Sequence, residues 1–526
     1  MNLLKIHSPK NSSNGISQLL LLVVLCCLST VSSSAQQKSE GAPRPNVIIF
    51  LTDDLGYGDL ASYGNPIIKT PNLDQFAKEG VRMLDMHSAA TVCSPSRASI
   101  LTGRNAYRSG YYAIAGFFGT TLQKYEVTLP QLLKEVGYET AFFGKWHLSK
   151  LESPTEVSVN DMGFDYSLAT SVNAFQTGPK NPAKFMRNGQ PTGVLEGWYV
   201  DIISNDAADW IATKRDDDKP FFMIIATNEP HTPIDPPTNF AQLYDGPEVI
   251  KKAEATKYGG YSRPDKDISA FQKEYYGTVT QMDDSFGRLM AFLEKEGLKD
   301  NTLVIFTSDN GPEVPVIFGE SGGEWEDNSR DKSFGTPGEL RGMKRFPYEG
   351  GHRVPGIARW PGHIPAGTVS DQLFNGTDFL PTIAKLAGAR VPEDRPIDGT
   401  DAFGAFLNTD YERAIPPMWF FPVNYPHLPG ISNMAMRYGD YVLIGNLGPT
   451  WEDFNKQMTD SKTKQVDWLK TSVPTTFELY NIKNDLAQTT DLAQTESDTL
   501  MMLIPKMQQL WLDIRDEGPW WGRLPN

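Results

Sequence analysis

The feature that most constrains the fold of this 526-residue chain is a set of apolar runs that alternate with helical segments. Four of these runs have the composition of strands that are buried on both faces. They occupy residues 45–51, 137–143, 220–226 and 303–306. Hydrophobic residues at helical spacing lie between them, at residues 72–78, 130–136 and 271–296. Strands that alternate with helices predict an α/β fold, in which a large, mostly parallel sheet is sandwiched by helices.

The pattern changes after about residue 400. Residues 433–444 have the pattern of a hairpin, residues 476–482 that of a further strand, and residues 498–515 that of an amphipathic closing helix. These segments predict a smaller C-terminal antiparallel α+β subdomain. We therefore expect the main α/β domain at residues 45–400 and the C-terminal subdomain at residues 401–526.

The first 35 residues have the pattern of a secretory leader. Lys5 and Lys10 precede an apolar run at residues 19–28, and small residues follow up to Ala35. The run is about half the length of roughly 20 residues that a membrane span needs. We expect a signal peptide at residues 1–35, an exported protein (periplasmic or secreted) and no stable membrane span after cleavage. An uncleaved anchor is the alternative.

The number and positions of the cysteines indicate that one of them, Cys93, has a reactive thiol. Cys26 and Cys27 would leave with the leader, so that the mature chain keeps Cys93 and has no internal disulfide to form. Pro95 and Gly103 favour a helix that starts near Cys93. A helix N-terminus attracts anions, and Arg97 would add a fixed cation on the same face. We favour a reactive Cys93 over a buried core cysteine because its neighbours are polar.

Polar residues follow each of the four strand-like runs. They are Asp53 and Asp54, then Lys145 and His147, then His231, and finally Asp309 and Asn310. In open α/β sheets the ligand site lies beyond the carboxyl ends of the strands, so this arrangement favours an enzyme. Adjacent carboxylates repel unless a cation joins them, and ligands that are all oxygen suit Ca²⁺ or Mg²⁺ rather than zinc.

The overall charge limits the partners. The formal net charge is −15, which makes nucleic acid an unfavourable partner. It also means that any anionic ligand must be attracted by local basic side chains.

Residues 93–104 resemble the signature of type I sulfatases, the formylglycine-dependent family of the alkaline-phosphatase-like superfamily. The segment begins Cys-Ser-Pro-Ser-Arg and ends Thr-Gly-Arg. Residues 348–355, 360–362, 377–382 and 478–481 also resemble family motifs. The resemblance covers nearly the whole mature chain, from about residue 45 onward.

The resemblance implies a modified residue and a metal ion. In this family the cysteine, here Cys93, is oxidised after translation to an aldehyde by a formylglycine-generating enzyme. The family's single calcium ion would be held by this modified residue with four further ligands, which are Asp53, Asp54, Asp309 and Asn310. The fixed cation at Arg97 would lie beside it.

The resemblance also implies roles in the hydrolysis of a sulfate ester. One hydroxyl of the aldehyde hydrate attacks sulfur and the alcohol leaves; the second hydroxyl then loses its proton, which expels sulfate and restores the aldehyde. Lys145 would bridge the hydrate and the sulfate, and Lys344 would be a second sulfate-binding cation. His147 would take the proton from the hydrate, and His231 would bind sulfate and protonate the leaving alcohol.

The chain departs from the family pattern at two places, and both bear on the substrate. Arg345-Phe346-Pro347 stands where small residues are usual, and Phe143 is bulkier than is common. Residues 312–339, which include Trp325, predict a loop that faces the substrate. We expect a sulfated small molecule or a sulfated glycan as substrate and prefer a polysaccharide; the identity of the alcohol and the oligomeric state stay open.

Three other functions compete. A thiolate phosphatase would need an arginine six positions after the cysteine, where this chain has Ser99. A phosphodiesterase or phosphonate monoester hydrolase of the same superfamily would share the modified residue. A non-enzymatic binder of sulfated glycans would keep the cations but would need neither the modified cysteine nor His147.

Overall fold

The computed structural model describes residues 44–116, 120–172, 178–246, 269–314, 333–421, 433–448 and 461–520. Two sequence predictions fall outside these ranges. They are the signal peptide at residues 1–35 and Trp325 with most of the loop at residues 312–339.

The strands of the described chain form three sheets. In chain order they are β1 (Asn46–Asp53), β2 (Val81–Met83), β3 (Met86–His87), β4 (Glu139–Lys145), β5 (Tyr166–Thr170), β6 (Met186–Arg187), β7 (Gln190–Pro191), β8 (Phe221–Pro230), β9 (Thr302–Ser308), β10 (Gly356–Arg359), β11 (Thr368–Ser370), β12 (Phe374–Asn375), β13 (Met418–Phe420), β14 (Asn433–Tyr438), β15 (Tyr441–Gly448) and β16 (Val473–Asn481). The main sheet has the order β11-β2-β10-β9-β1-β8-β4-β5-β6-β7, and β12 pairs with β3 in a two-stranded sheet.

Helices cover the main sheet, and the last two helices pack with the C-terminal sheet. In chain order they are α1 (Pro71–Glu79), α2 (Cys93–Thr102), α3 (Leu129–Glu135), α4 (Tyr199–Thr213), α5 (Thr238–Ala241), α6 (Ser269–Lys295), α7 (Glu349–His352), α8 (Phe379–Ala387), α9 (Phe403–Phe406), α10 (Ser461–Thr471) and α11 (Ser497–Glu517). Short 3₁₀ turns lie at Ala61–Tyr63, Asn160–Met162, Gln242–Tyr244 and Gly376–Asp378.

The side chains of β1 show why the sheet is buried on both faces. Val47 and Ile49 belong to one hydrophobic cluster, which includes residues of α2, α3 and α8. Ile48 and Phe50 belong to a second cluster, with residues of α1, α4 and α6. Because successive side chains of a strand point to opposite faces, helices cover both faces of the sheet. This confirms the α/β sandwich that the apolar runs predict.

The four strands predicted from the apolar runs are the centre of this sheet. β1 pairs in parallel with β8 and with β9, and β4 pairs in parallel with β8. Antiparallel pairs lie toward the margins of the sheet: β10 runs antiparallel to β9 and to β2, and β6 runs antiparallel to β5 and β7. The edge strand β11 pairs in parallel with β2. These marginal strands are short, and their sequences carry no long apolar run.

The C-terminal sheet is antiparallel, as the sequence predicts. Its order is β13-β14-β15-β16, and its residues pack with α11 around Trp468, Met507 and Trp511. Residues Pro45–Asn526 form one compact unit. The boundary at residue 400 stays a prediction.

None of the helices in the described ranges combines the length and the hydropathy that crossing a bilayer requires.

Candidate active site

The carboxyl ends of four neighbouring parallel strands bring the predicted site residues together. β9, β1, β8 and β4 lie side by side in that order. Asp53 ends β1, Lys145 ends β4, His231 follows β8, and Asp309 follows β9. The sheet therefore gathers at one edge residues that lie far apart in the sequence.

The backbone near this edge adopts conformations that most residues avoid. Gly144 has φ +103°, and a Cβ atom there would lie 1.9 Å from the carbonyl oxygen of Ala226 in β8. Only glycine therefore lets β4 run this close to β8 just before Lys145. Asp54 and His147 also have positive φ values, +66° and +56°. Such backbone strain in residues other than glycine is concentrated at functional sites.

Helix α2 begins at Cys93, as the sequence predicts, and Gly103, with φ +69°, caps its C-terminal end. All ten side chains of α2 are buried. The Sγ atom of Cys93 lies 3.3 Å from Oδ1 of Asp53, to which it donates a hydrogen bond. Burial, reinforced by the negative charge of Asp53, raises the pKa of the Cys93 thiol. Unmodified Cys93 is therefore a protonated thiol and a poor nucleophile.

Three buried ion pairs surround Cys93. Lys145 pairs with Asp53. Nζ of Lys344 lies 2.6 Å from Oδ1 of Asp54. Nε of Arg97 donates to Oδ2 of Asp309 at 2.8 Å, and NH1 of Arg97 donates to the Lys145 carbonyl at 2.6 Å.

These pairs keep the site charged although it is buried. Burial alone would raise the pKa of Asp53, but the charge of Lys145, with smaller effects of His231 and Arg97, holds it well below its usual range. Burial opposes the charge of Lys344, yet the carboxylate of Asp54 raises the pKa of Lys344 well above its usual value. Three carboxylates thus face three basic side chains, which makes the set close to neutral by itself.

Two buried oxygens in this cluster lack a hydrogen bond. They are Oδ2 of Asp54 and Oδ1 of Asn310, and neither has a donor among the described residues. Asp53, Asp54, Cys93 and His231 each present one ligand atom, and all these atoms lie within 4.8 Å of one another. Unsatisfied buried oxygens next to carboxylates fit a hard cation such as Ca²⁺, which prefers oxygen ligands.

The two histidines differ in their hydrogen bonds. His147 donates its backbone N–H to the Ser171 carbonyl at 3.0 Å, and its Nδ1 has no partner within the described ranges. Burial, with the charges of Lys145 and Arg97, keeps the pKa of His147 well below its usual value. His147 is therefore a neutral imidazole that can accept a proton.

His231 faces the acidic cluster. Its Nδ1 lies 2.5 Å from the Thr232 carbonyl oxygen, and its Nε2 lies 3.6 Å from Oδ2 of Asp54. A carbonyl oxygen only accepts, so Nδ1 carries a proton and Nε2 is the atom that exchanges one. Burial lowers the pKa of His231, while the charges of Asp54 and Asp53 act in the opposite direction.

Sequence reasoning missed one ion pair at the site. Oε2 of Glu313 lies 3.5 Å from Nζ of Lys344, and NH2 of Arg345 donates to the same oxygen at 2.9 Å. Arg345 has φ +81°, and its backbone N–H donates to the Thr91 carbonyl at 2.9 Å. The departure at Arg345 was visible in the sequence, but nothing there indicated Glu313 as its partner.

Comparisons with known proteins identify the family. The family model described as Sulfatase matches residues 45–389. The N-acetylgalactosamine-6-sulfatase of Rattus norvegicus is 31% identical over 441 residues, which cover 79% of this chain and 74% of the relative. Human arylsulfatase A (Homo sapiens) is 31% identical over 423 residues, covering 76% of this chain and 74% of the relative.

A solved structure gives the same result for the fold. The crystal structure of Ps i-CgsB in complex with k-i-k-neocarrahexaose has a TM-score of 0.70 and 25% sequence identity, and the match covers 91% of this chain and 95% of that chain. The chain thus belongs to the sulfatase family of the alkaline-phosphatase-like superfamily and is a sulfuric ester hydrolase.

Proposed function

We propose that this sulfatase acts through an aldehyde formed from Cys93 and through one calcium ion, which this modified residue would bind together with Asp53, Asp54, Asp309 and Asn310. The observation that carries the proposal is the pair of unsatisfied buried oxygens, Oδ2 of Asp54 and Oδ1 of Asn310, in the cluster around Cys93. The raised pKa of the Cys93 thiol supports it as well, because an unmodified thiol is a poor nucleophile here.

Charge balance explains why the site would then attract a sulfate ester. Three carboxylates and three basic side chains cancel, so a bound Ca²⁺ leaves an excess of two positive charges. A sulfate monoester carries one negative charge and would be drawn into this site. Charges that are already in place when the ester arrives usually contribute most to catalysis.

Each basic side chain has a distinct task in this proposal. Calcium, when bound, neutralises charge on the sulfate and lowers the proton affinity of the aldehyde hydrate. Lys145 and Lys344 would exchange their contacts with Asp53 and Asp54 for contacts with the oxygens of the sulfate. Burial, with the charge of Asp53, raises the pKa of Asp309 to about 6, and Arg97 opposes this rise. Nε and NH2 of Arg97 both contact Oδ2 of Asp309 and hold that carboxylate in position.

The two histidines divide the proton transfers. Nε2 of His231 delivers a proton to the leaving oxygen, since its Nδ1 is held by the Thr232 carbonyl. The negative charge of the arriving ester favours the protonated form that this step requires. His147, which is neutral, accepts the proton whose loss from the second hydroxyl expels sulfate.

We further propose that the substrate is a sulfated carbohydrate and that the protein is exported. One relative is named N-acetylgalactosamine-6-sulfatase and another is named arylsulfatase A. The structurally similar protein Ps i-CgsB was crystallised in complex with k-i-k-neocarrahexaose. The leader-like residues 1–35 would direct the enzyme out of the cytoplasm, where it would have access to polysaccharides.

Rates on matched esters test the function. The calcium-loaded enzyme is given a 4-nitrophenyl sulfate, the corresponding phosphate and the corresponding phosphonate monoester, followed by a panel of sulfated oligosaccharides. We expect kcat/KM to be highest for sulfate esters and to rise further for a sulfated sugar. A higher kcat/KM for the phosphonate or the phosphate ester would instead indicate that the protein is a phosphonate or phosphate ester hydrolase of the same superfamily. Tight retention of sulfated glycans without sulfate release would assign a binder.

A further inference from the structure

A second cluster of metal-ligating side chains lies outside the catalytic site. His87, Glu349 and His352 each present one ligand atom, and these atoms lie within 4.8 Å of one another. All three residues are 0% exposed. His87 ends β3, while Glu349 and His352 begin and end the single turn of α7.

The hydrogen bonds of the two histidines fix where their protons are. Nε2 of His87 lies 2.8 Å from Oδ1 of Asp85, and Nε2 of His352 lies 3.2 Å from the Pro347 carbonyl oxygen. NH1 of Arg353 lies 3.2 Å from the same oxygen of Asp85, which therefore acts as an acceptor. Both Nε2 atoms therefore donate, and a ring that carries a single proton has its lone pair on Nδ1.

These two lone pairs point at each other. The Nδ1 atoms of His87 and His352 are 2.9 Å apart. Two acceptors at this distance repel unless a positive charge lies between them.

The carboxylate of Glu349 supplies a third unsatisfied group. Its Oε2 accepts a hydrogen bond from Arg353 at 2.9 Å, but its Oε1 is buried and has no hydrogen-bond partner in the described part of the chain. Glu349 and His352 are spaced i, i+3 on one helical turn, which is the Glu-x-x-His arrangement that binds metals in helical proteins. A shared proton would satisfy the two rings and leave Glu349 unsatisfied, whereas a metal ion satisfies all three.

We propose that His87, His352 and Glu349 bind a divalent transition-metal ion of the zinc class. Imidazole nitrogens with one carboxylate suit such ions and not Ca²⁺. Two nitrogens 2.9 Å apart, each about 2.0–2.1 Å from one ion, subtend an angle of about 90°, which is an angle that these ions accept.

The surroundings are those of a structural metal site. Asp85 and the Pro347 carbonyl hold the outer nitrogens of the two rings, as carboxylates and carbonyls commonly do for metal-bound histidines. Trp419 of β13 stacks on His352, with ring centroids 3.9 Å apart, and covers the cluster from the C-terminal sheet. The ion would thus join β3 of the two-stranded sheet to α7, and Trp419 of the C-terminal sheet would cover it.

The test measures metal content and position rather than activity. The protein is produced in medium supplemented with zinc, because a fully buried site would be loaded during folding, and its zinc and calcium are quantified by mass spectrometry. We expect about one zinc per chain, retained through purification. His352→Gln and Glu349→Gln should each lose this zinc and keep their calcium. The matched control is His363→Gln, which changes an exposed histidine stacked on Trp360 and should keep both ions.

Crystals of the unaltered protein give a readout that does not depend on folding of the variants. Anomalous scattering at the zinc edge should show a peak between Nδ1 of His87 and Nδ1 of His352. Absence of this peak, or zinc content that is the same in His352→Gln and the unaltered protein, would overturn the proposal. A proton shared by the two imidazoles, detected by ¹⁵N NMR in protein produced in zinc-supplemented medium, would overturn it too.

Discussion

At the scale of single residues, the catalytic site depends on buried ions that are held by specific partners. Asp53, Asp309, Lys145 and Arg97 are at most 4% exposed, and each acidic group contacts a basic one. Removal of one partner from such a pair leaves a buried charge unpaired, which costs much more than the loss of a surface ion pair.

Arg97→Gln tests this. Glutamine carries no charge, so the buried carboxylate of Asp309 loses its basic partner and the Lys145 carbonyl loses its donor. We expect the free energy of unfolding in urea to fall by about 3 kcal/mol. Arg395→Gln is the control, because Arg395 pairs with its neighbour Asp394 near the surface, and it should cost less than about 0.5 kcal/mol. An equal decrease in the free energy of unfolding for the two variants would show that the buried ion pair contributes no more to stability than the surface pair.

Cys93→Ser tests the need for a second hydroxyl. Serine can attack sulfur once, but a simple alcohol has no second hydroxyl whose deprotonation expels sulfate. We expect kcat to fall by at least about 10³-fold, with sulfate covalently attached to the serine in the intact mass of the protein. Steady turnover by a variant that remains serine would contradict the mechanism.

At the scale of elements, close approach of strands and loops positions the site. β4 passes close beside β8 only because residue 144 is glycine. The loop after β1 is fixed by Asp59, which accepts hydrogen bonds from Gly56 N at 2.7 Å, the Tyr275 hydroxyl at 2.8 Å and Thr336 N at 2.9 Å. The metal ligands Asp53 and Asp54 that we propose lie at the start of this loop.

Comparison of Gly144→Ala with Gly189→Ala separates the cost of a steric clash between strands from the cost of a positive φ angle. Gly189 also has positive φ, +77°, but a Cβ atom there would have nothing within 4 Å. We expect Gly189→Ala to cost about 1 kcal/mol, the price of the left-handed conformation alone. Gly144→Ala should cost at least about 2 kcal/mol more, or prevent folding, because the new methyl group meets the Ala226 carbonyl. Similar thermal midpoints for the two variants would contradict this.

The raised pKa of Asp59 predicts that the stability of the protein depends on pH. Burial raises the pKa of Asp59 to about 7. The folded state therefore holds this proton more tightly than the unfolded chain, whose aspartates titrate near pH ~3.9. This group lowers the free energy of unfolding as pH rises from about 4 to about 7, by up to about 4 kcal/mol.

The comparison with Asp59→Asn isolates that group. Asparagine does not titrate, so the free energy of unfolding of the variant minus that of the unaltered protein should increase by a few kcal/mol between pH about 4 and about 7. Urea unfolding of both proteins in a series of buffers measures it. A difference that stays constant with pH would show that Asp59 is ionised throughout this range.

The sequence predicted the elements whose patterns are local. β1, β4, β8 and β9 appear as apolar runs, and their polar ends indicated Asp53, Lys145, His231 and Asp309 before the sheet was known. Pairings between distant residues were not visible. The facing rings of His87 and His352 are 265 positions apart, and no periodicity or spacing predicts that they meet. The short antiparallel strands at the sheet margins were missed because two to four residues are too few to show a periodic pattern.

At the scale of the whole molecule, the segment after α2 is anchored on the C-terminal part of the chain. Tyr107 packs against Phe420 with ring centroids 5.2 Å apart and against Trp511 at 6.2 Å. Arg108 lies 2.8 Å from Glu517 at the end of α11. The helix that carries Cys93 is therefore supported by residues more than 300 positions later in the sequence.

A chain that ends at residue 400 should not fold. Its Tyr107 and Tyr112 would be exposed, since they are buried in the cluster formed with the C-terminal sheet and α11. We expect aggregation on size-exclusion chromatography and no cooperative thermal transition. Glu517→Gln, which weakens the ion pairs but keeps the sheet, should fold with a thermal midpoint only a few degrees lower. A monomeric, cooperative fragment would instead make residue 400 the boundary of an independent domain.

The most direct test of the proposed catalytic centre is the mass of the peptide that contains Cys93, measured on active enzyme and related to the rate of sulfate release. The account predicts that this residue has lost hydrogen sulfide and gained one oxygen, and that activity across preparations is proportional to the converted fraction. Full activity in a preparation whose Cys93 retains its sulfur would contradict it.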